Sequence, residues 1–432
     1  MIKTLIRNLI KKLSIIGCAL NLPILTATSL RLLFFKDIVD NPNSNKVLIV
    51  FYKSGGIHDV RAALDKNTNL KVLYCERSNL QSINNFFLKK QYPAFSAPKK
   101  NQKYLKNFEK SKDFFSKILD TKFFLKKEIF FLSFNLAYTE DRALKKACKE
   151  KKIKFLILHK ESVQSKGQRE IFTDKYIRVL KPINNVSKVA VYNEEAKKAL
   201  YQNKILDKNK IYVTGCARAG KYLDQNKVKY KKKIKTILFF LIQNSAGIPF
   251  NLKMKQASAL SIKGHKQFDW GLLSKEVTKI MIKLAKKNSE INFIFKGKVS
   301  FGNKLIDTLN KKKLPKNINL QKGGTAENLI KESDLIIGFN TSAVMEAMIA
   351  KKYVLIPFYK KYRKMPFLHY VHKYNKNLLI DDNIDLEKKI QKLINRDQLI
   401  FPNPEIIPFK IISKYFGDIR LSRNKLKKFL ET

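Results

Sequence analysis

Acidic residues are scarce in this chain: 35 Asp and Glu stand against 88 Lys and Arg, a formal net charge of +53. A surface so short of negative charge draws anions, whether nucleotides, anionic lipid headgroups or nucleic acid. The abundance of Lys, Ile, Asn and Phe also reads as a compositional drift that fills surfaces with Lys. Arg is scarce beside Lys and no RNP, helix-turn-helix or finger pattern occurs, which argues against nucleic acid as the principal partner. Cysteine is sparse too. Cys18, Cys75, Cys148 and Cys216 are far apart without Cys-x-x-Cys or Cys/His spacing, and the five His are scattered, so neither a zinc site nor a disulfide framework is expected. A reducing cytoplasm fits that usage. The Gly-x-Gly-x-x-Gly fingerprint of dinucleotide sites is absent, as is an Asp-x-Asp metal motif. The longest apolar stretch, near the N-terminus, is short for a membrane-spanning helix and is broken at Asn21-Leu22-Pro23.

What is present is enough for two cores. A chain of 432 residues with 44% hydrophobic residues exceeds the size at which single cores stop growing. Residues 1–40 are basic and apolar together, and we read them as an interfacial amphipathic helix on an anionic membrane face. A helix packed on the first domain and a cleaved signal are the alternatives. Lys46–Tyr52 is a buried-strand run leading into Gly55-Gly56 and a helix from about His58. Further strands are expected near 70–75, 129–134, 153–158, 188–192 and 211–213, with helices between them. After a Lys-rich hinge at 223–235, strands at 236–242, 291–295, 318–321, 335–337 and 354–357 alternate with helical patterns. Such alternation specifies parallel, doubly wound sheets. The expected domains are 41–222 and 236–407, followed by a helical tail at 408–432.

The stretch from Ser333 to Met348 organises the second half. A short apolar run, Leu335–Ile337, gives way to small and turn-forming residues at 338–342 and then to a helix from Ala343. A helix capped by Thr341 or Ser342 at the carboxyl end of a strand points its unpaired N–H groups and positive dipole end at whatever sits in the crevice, which suits a phosphate. Glu346, one turn further along, would reach a ribose whose phosphates rest on the cap.

Asp334, Gly338, Asn340-Thr341-Ser342 and Glu346-Ala347 resemble the nucleotide-binding motif in the second domain of GT-B glycosyltransferases, particularly those making bacterial surface carbohydrates, and of the related UDP-sugar 2-epimerases. The resemblance implies an α/β, GT-B-like fold, with two Rossmann-like doubly wound parallel-sheet domains facing a cleft. It also implies that Asn340, Thr341 and Ser342 hold the donor diphosphate and Glu346 the ribose. Two loops of the first half are similar to loops of the same families. Leu158-His159-Lys160-Glu161-Ser162 follows a strand at its carboxyl end, where open α/β sheets place ligands. Relatives carry His-Gly there, and Lys160 departs from that form. Either His159 or Glu161 would take the proton of an acceptor hydroxyl. Thr214-Gly215-Cys216-Ala217-Arg218 is similar to the turn that closes the first domain, with Arg218 meeting a phosphate or forming a salt bridge. Lys296 stands where relatives often have Lys-Pro-His and is the expected cation on the phosphate side.

The function implied is transfer of a sugar, or a related polyol phosphate, from an activated nucleotide to a surface polysaccharide or lipid-linked acceptor. Arg218 and Lys296 would offset the charge of the leaving nucleotide, so neither a metal nor a cofactor beyond the nucleotide-sugar substrate is called for. The alternatives are a 2-epimerase-like enzyme and a non-catalytic scaffold that binds nucleotide or membrane. The expected location is cytoplasmic, peripheral on the inner face of the membrane.

Overall fold

The computed structural model describes residues 2–36, 41–52, 56–64, 68–88, 102–125, 128–160, 185–223, 234–242, 270–297, 302–362, 378–395 and 409–431, apart from 42, 137, 139 and 340. Glu161, Asn340 and most of the expected hinge therefore lie outside the described residues. The chain separates into two compact units. The first takes the described residues up to 160, then 185–220 and 413–431; the second runs from 221 to 412.

The first unit begins with a hairpin of helices, α1 (Ile2–Ala19) and α2 (Pro23–Leu33), where a single interfacial helix was expected. Asn21 turns the chain in the left-handed region at φ 53, and Pro23 starts the second helix where a missing N–H costs nothing. The two helices approach closely because Gly17 faces Thr26: a Cβ at Gly17 would lie 2.3 Å from the Thr26 Oγ1. Arg7 and Lys11 pair with Glu76 at 3.2 Å each, fastening the hairpin to the sheet edge. Of the alternatives for this segment, packing on the first unit is what one of its faces does.

The sheet of this unit uses β1 (Phe35–Lys36), β2 (Lys46–Tyr52), β3 (Lys71–Glu76), β4 (Glu128–Ser133), β5 (Phe155–His159), β6 (Lys188–Val191) and β7 (Ile211–Val213). Their order is β1-β3-β2-β4-β5-β6-β7, parallel except for the short edge strand β1. The helices that accompany it are α3 (Gly56–Ala63), α4 (Arg77–Leu88), α5 (Gln102–Leu119), α6 (Lys122–Leu125), α7 (Arg142–Glu150), α8 (Glu194–Gln202) and the single turn α9 (Ala217–Gly220). Strands covered on both faces must be apolar throughout, and Val47–Val50 and Phe155–Leu158 are buried without interruption. Phe51, Phe131 and Phe155, on neighbouring strands, stack with centroids 5.7–6.3 Å apart and fill one side of the sheet.

The second unit holds β8 (Thr236–Phe240), α10 (Trp270–Lys287), β9 (Asn292–Lys296), α11 (Gly302–Asn310), β10 (Ile318–Gln321), α12 (Glu327–Glu332), β11 (Leu335–Ile337), α13 (Ser342–Ile349), β12 (Tyr353–Leu355) and α14 (Asn383–Asn395). Its five strands are all parallel in the order β10-β9-β8-β11-β12. Numbered within the unit this is 3-2-1-4-5, a doubly wound order that reverses between β8 and β11.

Two helices end the chain, α15 (Phe409–Phe416) and α16 (Ser422–Glu431), and from Ser413 onward it belongs to the first unit. Gly417 makes that return possible. It adopts φ +69, and a Cβ there would lie 2.0 Å from the Tyr192 carbonyl oxygen. Phe429 packs on Tyr212 of β7, and the Glu431 carboxylate accepts from the Thr68 hydroxyl at 3.2 Å.

Candidate functional site

The crevice at a strand-order reversal is where open α/β sheets bind ligands, and in the second unit β11 leads straight into it. Gly338 fits there because a Cβ would meet Val344 at 2.8 Å. Thr341, extended at φ −126, is the N-cap of α13, and its hydroxyl accepts from the Ala343 N–H at 3.4 Å. Ser342 is the first helical residue, not the cap, so its side chain and Thr341 flank the same half-exposed helix start. Beyond it α13 is apolar around its whole circumference and buried throughout, as a helix with no polar face must be. Glu346 is the exception in that helix. It is 8% exposed and its Oε2 accepts from the Tyr222 hydroxyl at 3.3 Å. That partner, 124 residues away in sequence, left no local signal.

Asp334 from the same motif has a structural task. Its Oδ2 accepts the N–H groups of Lys235 and Thr236, at 2.9 and 3.0 Å, and so starts β8 beside β11. Lys296 closes β9, in register with Phe240 of β8. It lies at the same edge of the sheet as Thr341, two strands across, roughly 10 Å by strand spacing. Its Nζ donates to the carbonyl oxygens of Gly297, at 2.9 Å, and Gly323, and burial holds its pKa below the ordinary lysine value. The expected phosphate-side cation is thus a buried ammonium already holding two backbone carbonyls.

In the first unit, Arg218 is tied to Asp59 and Tyr192. The Asp59 carboxylate, fully buried on α3, accepts from the Arg218 Nη1 at 2.6 Å, from its backbone N–H at 3.0 Å and from the Tyr192 hydroxyl at 2.6 Å. Arg218 also donates to the Tyr192 oxygen at 2.7 Å. A buried carboxylate takes several donors when it has no water, and this is the salt bridge that sequence reading left as Arg218's other outcome. Burial pushes the Tyr192 phenol well above its ordinary pKa.

His159 ends β5 and is buried, and Lys160 follows it with its N–H on the Phe134 carbonyl at 3.4 Å. The Leu136 N–H donates to His159 Nδ1 at 3.5 Å.

A cluster that the sequence did not reveal lies where β4 and β5 meet α7. Asp141 and Lys145, one turn apart at the start of α7, are both buried. Ser133 at the end of β4 donates to Asp141 Oδ2, while Asp141 Oδ1 and Lys145 Nζ have no hydrogen-bond partner among the described residues. The Nζ lies 5.6 Å from the centre of the Phe155 ring. Burial lowers the Lys145 pKa to about 8 and raises that of Asp141. The i, i+4 spacing was the only available signal, and it reads equally as a solvated helix pair.

All four cysteines are buried free thiols, and among the described residues no three His, Cys, Asp or Glu side chains gather as a metal site would need. No helix among the described residues is long and apolar enough to cross a membrane.

No family model matches the chain, and no curated protein does. Solved structures similar to it include UDP-GlcNAc 2-epimerase from Neisseria meningitidis bound to UDP-GlcNAc, at 14% identity and a TM-score of 0.48, covering 90% of this chain and 100% of that one. The wall teichoic acid polymerase TagF gives 11% identity and a TM-score of 0.44 over 100% of this chain and 97% of that one. The glycotransferase of kitacinnamycin gives 9% and 0.42, over 90% and 100%. By its own two sheets, each parallel at its core and doubly wound, the chain is a two-unit α/β protein, and the solved structures similar to it include glycosyltransferases and a 2-epimerase.

Proposed function

We propose that the chain is a glycosyltransferase, or a related polyol-phosphate transferase, that moves a group from a nucleotide-activated donor onto a surface polysaccharide or lipid-linked acceptor, as a peripheral protein on the inner face of the cytoplasmic membrane. One observation carries the reading. A capped helix starts at the strand-order reversal of the second unit, with hydroxyls at Thr341 and Ser342 and a buried carboxylate at Glu346 one turn in. Donor phosphates would rest on the helix N-terminus, stabilised by its dipole and by those hydroxyls as the leaving nucleotide gains charge. Glu346 would accept from the ribose, held in place by Tyr222. Lys296 would act through its field and through the loop at Gly323 that it braces. In the other unit, His159 or Glu161 would be the base that takes the acceptor's proton. Arg218, paired with Asp59, would add positive charge as the nucleotide leaves.

Calorimetric titration of the full chain with UDP, CDP, CMP and uridine tests the nucleotide site. The double substitution Thr341→Ala with Ser342→Ala should weaken the nucleoside diphosphates more than the nucleoside, because the groups removed are assigned to phosphate. No nucleotide binding by the folded chain, or equal losses for uridine and UDP, would reduce α13 to a capped core helix. Product analysis with UDP-, CMP- and CDP-linked donors separates transfer from epimerisation and from binding without turnover.

A further inference from the structure

The α1–α2 hairpin is apolar on both of its sides. Its packed face joins small and polar residues, Ser14, Gly17 and Cys18 on α1 with Thr26, Ala27 and Ser29 on α2, to the buried Leu30 and Leu33. Its outer face carries large aliphatic side chains in the open. Leu5, Leu9 and Ile16 follow one another at helical spacing along α1, Leu20 continues their line at the turn, and Ile24 and Leu32 lie on the outer side of α2. Leu9 is 59% exposed and Ile24 71%. Soluble surfaces scatter such residues singly, and a contiguous patch of them marks a docking surface.

Charge says what docks. No acidic residue precedes Asp37, whereas Lys3, Arg7, Lys11, Lys12, Arg31 and Lys36 are basic. Arg7 and Lys11 turn inward to Glu76, but Lys12 and Arg31 are exposed between the aliphatic residues. A second copy of this hairpin would bring like charges together with no carboxylate of its own to pair them. An anionic bilayer supplies both needs at once, headgroup charge for the cations and acyl chains for the aliphatics. From this geometry we infer that the outer face of the α1–α2 hairpin is the surface by which the protein lies on an anionic lipid bilayer, with Leu9, Ile16, Leu20 and Ile24 entering the headgroup–acyl boundary. The inference rests on the peripheral placement proposed above and names the surface responsible.

A chain of charge +53 will adsorb to anionic vesicles by charge alone, so the test must read the aliphatic residues. Full-length protein is sedimented with phosphatidylglycerol–phosphatidylcholine vesicles at physiological salt. The triple variant Leu9→Ser, Ile16→Ser, Ile24→Ser should lower the partition coefficient about tenfold or more, since three exposed apolar side chains lose their burial in lipid. The control Leu105→Ser, Ile384→Ser, Leu421→Ser, which removes exposed aliphatics elsewhere, should leave it unchanged. A fluorophore on Leu20→Cys should be quenched by nitroxide-bearing lipid more strongly than one on Ile384→Cys; the native cysteines are buried. Unchanged binding of the first triple variant, or equal quenching at the two positions, would overturn the hairpin surface and leave adsorption by net charge. No vesicle binding by the wild type would overturn the peripheral placement as well. Lipid-free dimers abolished by the first triple variant would assign the face to a second copy instead.

Discussion

At the residue scale, the buried pairs separate stability from function. Lys145 and Asp141 are desolvated and each keeps a polar atom without a partner among the described residues, a costly arrangement that an apolar pair of similar shape would relieve. We expect Asp141→Asn with Lys145→Met to raise stability at pH 7 by roughly 1–4 kcal/mol, read by denaturant unfolding. The pH dependence has a definite sign. With a folded pKa of about 8 below the unfolded lysine value, the unfolded chain binds more protons between those limits, so stability due to this group rises with pH through that window and is absent below it. Between pH 8 and 10.5 the wild type should therefore gain on the double variant by on the order of 3 kcal/mol. A constant gap across that range would mean that Lys145 is not held neutral. Glu346→Ala should weaken nucleotide binding by about 1–3 kcal/mol, the range for losing a charged hydrogen-bond partner. Because Glu346 is buried against Tyr222, Tyr222→Phe is the companion variant. It should cost less affinity, and a thermal melt of both separates lost affinity from lost fold.

At the element scale, helix termini decide what each segment can do. Thr341 rather than Ser342 caps α13, so Thr341→Ala alone should destabilise the second unit by about 1 kcal/mol and Ser342→Ala by less, measured by thermal unfolding. The opposite ranking would return the cap to Ser342. The cap motif was legible because the change from apolar run to small residues to helix is local. Which of two adjacent hydroxyl residues takes the β conformation is set by how β11 delivers the chain, and that is not in the motif. The N-terminal segment teaches the same lesson. Its break at Asn21 and Pro23 was readable, but whether its two halves lie along one line or fold against each other depends on Gly17 meeting Thr26.

At the scale of the whole molecule, the chain's last residues belong to its first core. Leu426, Phe429 and Leu430 are buried within a unit whose neighbouring strand, β7, ended some 200 residues earlier. Removing residues 413–432 should further expose Tyr212 and the turn around Gly215, and lower the unfolding temperature of the first unit while sparing the second. Uniform loss in both units by hydrogen exchange would show that α16 supports more than the first core. The +53 charge predicts a further property. Affinity for UDP should fall as salt rises, since distant lysines contribute through a field that ions screen beyond about 8 Å at physiological strength.

Sequence alone determined the alternation of strands and helices, the doubling into two parallel sheets, and the capped helix after Leu335–Ile337, because each is written in patterns spanning one or two elements. Strand order, the partners of buried charges and the fate of single cations were decided by tertiary structure. Asp59 gathers Arg218 and Tyr192 from residues more than a hundred positions away, Tyr222 reaches Glu346 over a comparable span, and Lys296 spends its donors on two carbonyls. A lone Arg, Glu or Lys looks the same in a sequence whether it waits for a ligand or satisfies a neighbour. Burial makes the difference, because a charge removed from water must find its partner wherever the fold brings one.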